Sequence, residues 1–258
     1  MMKSNNEVSY MKKYIAILLI LLCAIGLTAC QKQVKLGAPK DYPVSGEIRA
    51  LRMDINAADL KIEHADEFHV ESNLKRLTVS VENGMLTVRQ KDKVGISYTD
   101  AMLTLYVPEG TVFESVRIDT GAGRLTAEEL RAERVEFSLG AGAMKIGYLE
   151  TTKATDIEGG AGAIVISDGS ITDFELEMGV GGLDLTAALL GNCELSLGVG
   201  ESKLTLSGDE EDYSVEIEKG LGDITVNGKQ VSAYRTMGNG RNRVEIEGGV
   251  GAIHLEYR

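Results

Sequence analysis

Three histidines, His64, His69 and His254, are the only imidazoles in the 258-residue chain. His64 and His69 are near enough in sequence to share a zinc ion, but no further ligands accompany them, and a solvated strand face accounts for both. Cys193 takes the position that Val116, Val135 and Phe174 hold in similar stretches. It therefore reads as a small core hydrophobe, not a nucleophile. No Gly-x-Gly-x-x-Gly and no Gly-Lys-Ser/Thr phosphate loop occurs, so dinucleotide and triphosphate binding are not expected. The densest acidic run, Asp209-Glu210-Glu211-Asp212, reads as a solvated turn, with a weak cation site as the alternative. No catalytic residue, cofactor or metal is expected. Groups of the opposite sign gather at Lys229, Arg235, Arg241 and Arg243, with Tyr234 among them. On an acidic domain such a cluster steers an acidic glycan or an acidic protein, so these five residues are the candidate binding loop. A solvated loop without a role is the alternative.

Cys30 has the most specific chemical context. It closes Leu27-Thr28-Ala29-Cys30, downstream of Lys12 and Lys13 and of an apolar run over residues 14–26. Small residues before a thiol in this order match a lipobox, where diacylglycerol is attached to the cysteine and the chain is cut before it. The run is shorter than the about 20 apolar residues that span a bilayer. Residues 1–29 thus read as a lipoprotein signal peptide and Cys30 as the lipidated N-terminus. Because each buried CH₂ of the lipid contributes about 0.8 kcal/mol, the protein is expected to stay on the extracytoplasmic side of a cell membrane.

Removing Lys3, Glu7, Lys12 and Lys13 with the signal takes the net charge from −12 to −14. Nucleic acid and anionic headgroups are disfavoured as partners. Cys23 leaves with the signal and Cys30 carries lipid, so Cys193 has no intrachain partner.

Thirty glycines with three prolines and no tryptophan point to repeated tight bends. A Gly-apolar-Gly unit recurs with first glycines at Gly121, Gly140, Gly160, Gly179, Gly198, Gly220 and Gly249, spaced 19, 20, 19, 19, 22 and 29 apart. Alternating apolar residues flank the units, as in Val135, Phe137 and Leu139 before Gly140, and Met144 and Ile146 after it. Period two means a strand with one buried face. Asn56-Ala57-Ala58, between Leu51, Met53, Ile55 and Leu60, Ile62, fits the same template without glycine. That makes eight copies. The residue between the glycines is always apolar, unlike an Asn-Gly hairpin tip, and is expected to point inward at a corner. Like positions would then stack about 4.8 Å apart. The expected fold is all-β, a parallel β-solenoid, right-handed and β-helix-like, of about eight Gly-x-Gly coils. An antiparallel β-meander or sandwich is the alternative. The last spacing holds an insertion, residues 227–242, which is expected to be an excursion from the solenoid surface.

Upstream, residues 77–81 and 85–88 flank Asn83-Gly84 and read as a hairpin, and residues 102–107 as another strand. Residues 30–45 read as a lipidated tether, which leaves 46–258 as one β-repeat domain.

The order of lipobox, hairpin, strand ending in Val107-Pro108-Glu109-Gly110, then Val116-Arg117-Ile118-Asp119-Thr120-Gly121-Ala122-Gly123 and its repeats resembles the bacterial putative-adhesin family of β-strand-repeat lipoproteins, a domain of unknown function. The resemblance implies a lipid-anchored cell-envelope protein with a non-enzymatic binding or structural role, and an envelope glycan or protein as its partner. Two alternatives stand beside it: a polysaccharide-active β-helix enzyme, and a partner in envelope-stress signalling.

Overall fold

The computed structural model describes residues 36–91, 98–232, 234–235 and 240–258. The signal segment and Cys30 lie outside the described residues.

Alternation becomes strand throughout. The fold is all-β, a mixed sheet with parallel strands, and the one helical turn among the described residues is the 3-10 turn Glu210–Asp212. Ala50–Ala57 pairs in parallel with residues 115–122, so that Leu51 meets Val116 and Met53 meets Ile118. Phe174–Leu190 pairs with residues 155–166 on one side and with Asn192–Val199 on the other, again with like positions matched. Each inward residue therefore lies on its counterpart one period away, and Phe137, Ile157, Leu176 and Leu195 are almost fully buried. Burial of each such side chain contributes about 1.5–3 kcal/mol. Asn56-Ala57-Ala58 is in register with the glycine-containing units, Ala57 opposite Ala122.

The expected hairpin forms. Leu77–Glu82 and Met85–Gln90 pair antiparallel around Asn83 and Gly84, whose φ values of 51° and 78° fit the turn that Asn-Gly favours.

Three expectations change. First, the apolar residue between the glycines points outward: Ala122, Ala141, Ala161, Val180, Val199, Leu221 and Val250 are all exposed. At the glycines the layers stack backbone on backbone. A Cβ on Gly121 would lie 2.4 Å from the Asn56 carbonyl oxygen, and one on Gly140 equally close to that of Gly121, so no side chain fits between the layers at these positions.

Second, the layers do not follow chain order at the ends. Glycine contacts run Asn56, Gly121, Gly140, Gly160, Gly179, Gly198, Gly249, Gly220 along the stack. Asn242–Val250, which carries the last glycine unit in the chain, is inserted between Asn192–Val199 and Tyr213–Leu221. At the other end, Ala50–Ala57 lies between Met85–Gln90 and residues 115–122. The residues between these layers form antiparallel pairs there. His69–Ser72 covers Met102–Pro108, and Lys229–Val231 covers Ile224–Val226. An outermost parallel strand would present unpaired N–H and C=O groups, and these short strands occupy them. Of the expected insertion, the described strands Lys229–Val231 and Tyr234–Arg235 thus cap the end of the stack rather than leave it from the side.

Third, the reading of residues 30–45 as a tether fails in part, because Lys40–Pro43 is a strand antiparallel to His69–Ser72. Tyr42, opposite Val70, packs against the core, and that contact holds the segment in place.

Candidate binding face

Outside each corner the stacking that orders the core also orders the surface. Residues two before the first glycine line up across the layers as Asp54, Asp119, Ser138, Glu158, Glu177, Ser196, Glu247 and Glu218. Those four before it line up as Arg52, Arg117, Glu136, Asp156, Glu175, Glu194, Glu245 and Glu216. Beyond the glycines runs the ridge Ala57, Ala122, Ala141, Ala161, Val180, Val199, Val250, Leu221. An open groove of about 1010 Å³ follows the stack, with carboxylates along one side and the first glycine of each unit along the other.

The charge along this face is uneven. At its first layers, Arg89 Nε lies 3.2 Å from Asp54, and Arg117 reaches both Asp119 at 3.1 Å and Glu136 at 2.5 Å. Further on, no cation among the described residues pairs with Asp156, Glu158, Glu175, Glu177, Glu194 or Glu247, although Arg243 contacts Glu245. Like charges one strand spacing apart are destabilising. The Asp156 carboxyl is accordingly held above its ordinary value, by partial burial and then by the charges of Glu158 and Glu177. A carboxyl whose pKa is raised on folding binds its proton more tightly in the folded state, so stability rises as pH falls through the carboxylate range. We expect the melting temperature to increase as the pH is lowered from 7 toward the carboxylate range and on adding salt, with Asp156→Asn weakening the pH response. A melting temperature indifferent to both would contradict like-charge repulsion on this face.

The candidate loop lies at the end of the stack. Lys229, exposed, opens the strand beside Ile224–Val226, while the backbone of Tyr234–Arg235 pairs with Ile217 and Glu216 on the adjacent strand. Arg241 is exposed just before Asn242–Val250. Arg243 sits on that strand and is drawn to Glu245, so it belongs with the carboxylate columns. The five residues are therefore divided among the two edges of the outermost layer and the layer beneath it.

Other groups are accounted for by packing. The Cys193 thiol is buried, and burial pushes its pKa up to about 11, which keeps it protonated and inert at neutral pH. His69 stacks on Tyr106 at 4.1 Å, and His254 Nδ1 lies 2.7 Å from Thr225 Oγ1. Asp209-Glu210-Glu211-Asp212 forms the 3-10 turn, with the Asp209 N–H donating to Asp212 Oδ2 at 3.2 Å, and all four residues are exposed. Among the described residues no group of three or more His, Cys, Asp and Glu is placed to hold a metal ion, and no helix is long and apolar enough to cross a membrane.

Residues 48–256 match the family described as Toastrack DUF4097. The chain belongs to that family. No curated protein matches it. The Toastrack region also has solved structural relatives. A putative cell adhesion protein from Clostridium sporogenes ATCC 15579 is 17% identical, with 87% of this chain and 100% of that one covered and a TM-score of 0.37. A putative adhesin from Bacteroides fragilis NCTC 9343 is 12% identical, covering 87% and 99%, with a TM-score of 0.40. A putative lipid binding protein from Parabacteroides distasonis ATCC 8503 is 16% identical, covering 86% and 99%, also at 0.40.

The Toastrack face was not found by reading for motifs. Its signal lies in the repeat itself, in the acidic residues two and four positions before the glycines.

Proposed function

We propose that this Toastrack chain is a lipid-anchored cell-envelope protein with a non-enzymatic binding role, an adhesin-like module built as a parallel β-solenoid of eight coils. Cys30 carries the anchor on the extracytoplasmic side of the membrane, and the stack presents its outer face to a polymer or protein of the envelope. The observation that carries the reading is the groove bounded by in-register carboxylates and continued by an exposed apolar ridge. A monomer surface seldom leaves large apolar side chains in one continuous row without a partner for them. Lys229, Tyr234, Arg235 and Arg241 at the far end of the stack, with Arg243 on the strand beneath, are an accessory contact for an acidic glycan or protein.

The anchor is tested by fractionation. Wild-type protein should sediment with membranes and be released by detergent, whereas Cys30→Ala should appear in the soluble or unprocessed fraction. Unchanged processing and unchanged membrane retention in the variant would contradict lipidation.

A further inference from the structure

Two properties of the face change along the stack, one layer apart. The ridge is alanine at Ala57, Ala122, Ala141 and Ala161, then becomes Val180, Val199, Val250 and Leu221. These last four are 57%, 49%, 48% and 73% exposed, so each offers a large apolar surface to a partner. In the carboxylate columns the last early cation is Arg117, one layer before Glu136, and the next is Arg243 near the far end. The run of carboxylates without a cation therefore begins at Asp156 and Glu158, beside Ala161, and continues through Glu175, Glu177, Glu194 and Glu247, so that all of it but its first layer lies beside the bulky apolar groups, while the carboxylates of the layers before it are neutralised. Solubility alone does not require this, since charged columns keep an alanine ridge soluble as well as a valine one.

We propose that the part of the face from the layer of Asp156 and Glu158 onward docks an extended polypeptide segment that carries lysine or arginine together with apolar side chains. This rests on the reading of the face as the binding surface. The sign of the columns selects a cation, and the ridge beside them selects a chain that also has apolar groups to bury. A second copy of this protein would bring carboxylates against carboxylates, and an anionic membrane surface would be repelled. The spacing also fits. Layers about 4.8 Å apart put every second layer about 9.6 Å on, and a polyproline II chain, with three residues per turn and about 3.1 Å per residue, returns every third side chain to the same face at nearly that interval.

The test is fluorescence anisotropy of the full chain in detergent with a labelled 15-residue peptide repeating Lys-Val-Ala. Peptides repeating Gln-Val-Ala and Lys-Ser-Ser, and spermine, serve as comparisons. We expect the Lys-Val-Ala peptide to bind at least tenfold more tightly than any of the three. Its affinity should fall steeply with salt, and at least tenfold in a protein carrying Glu158→Gln, Glu177→Gln, Glu194→Gln and Glu247→Gln. Val199→Ser with Val250→Ser should weaken it severalfold, while Glu63→Gln with Glu128→Gln, on another face, should not. Melting curves of each variant keep loss of fold apart from loss of binding. Equal binding of Lys-Ser-Ser or spermine, or a quadruple variant that folds and binds as wild type, would overturn the proposal. If the peptide does not bind while a crosslinker placed at Val199 still captures an envelope partner, the face binds another chemistry and only this inference falls. If neither occurs, the binding role of the face falls with it.

Discussion

Gly162→Ala is expected to prevent the stack from forming. Gly162 has a φ of +144°, and an added Cβ would sit 1.5 Å from the carbonyl oxygen of Gly142 and 2.6 Å from its carbon. No rotamer relieves the clash, because both partners are backbone. Nor can the layers separate locally, since a Cβ on Gly181 would in turn meet the Gly162 oxygen at 1.5 Å, and the strands between are fixed by parallel pairing on both sides. Strain of this kind combined with lost pairing belongs among the exceptional substitutions above about 4–5 kcal/mol, against a total stability of about 5–15 kcal/mol. Gly182→Ala is the control, because its Cβ would meet nothing closer than the Glu201 carbonyl oxygen at 3.6 Å. Circular dichroism and thermal melting should show Gly182→Ala near wild type and Gly162→Ala unfolded or insoluble. A cooperative Gly162→Ala melt within a few degrees of wild type would refute the close corner packing.

Removing residues 242–258 is expected to be nearly as severe, and it separates two arrangements of the same coils. In a solenoid stacked in chain order, this deletion would peel away the last coil and leave a slightly shorter stack. Here it removes an inner layer. Asn242–Val250 and Ile253–Tyr257 pair on one side with Asn192–Val199 and Ser202–Leu206, and on the other with Tyr213–Leu221 and Ile224–Val226. Without them Tyr213–Leu221 and Ile224–Val226 lose their parallel neighbours, and Val244, Ile246, Ile253 and Leu255 no longer cover the buried residues on either side. Each coil buries little alone, so loss of both interfaces should leave 207–241 unfolded. Limited proteolysis of the truncated protein should cut rapidly between 207 and 241, with aggregation in size exclusion. A monodisperse truncated protein as resistant to protease as wild type would indicate stacking in chain order.

Much of this architecture was legible because period two and a period near 19 reinforce each other. Val135 and Phe137 before Gly140, and Met144 and Ile146 after it, mark inward positions that the structure places inward. Asn83-Gly84 specified its turn by local chemistry alone. The order of the final layers was not legible for the same reason that the repeat was: Asn192–Val199, Tyr213–Leu221 and Asn242–Val250 present nearly the same edge, so the pattern does not state which lies beside which. The outward turn of Val180 and Val199 was hidden because an apolar residue between strands reads as inward, while the glycines on either side, packed on carbonyl oxygens of the adjacent layer, turn it to the surface. Glu158, Glu177 and Glu247 were visible as acidic residues, but a charge on a strand ordinarily reads as a solvated face, and only parallel register makes them a column.

The central claim is that this outer face, and not another side of the stack, meets the partner. Photo-crosslinking in intact cells tests it most directly, with the reactive side chain at Val199 on the ridge or at Lys203, exposed on the following strand Ser202–Leu206. The account predicts a discrete crosslinked species from Val199, lost when Glu158, Glu177, Glu194 and Glu247 are changed to glutamine, and none from Lys203. Crosslinks from Lys203 with none from Val199 would contradict it.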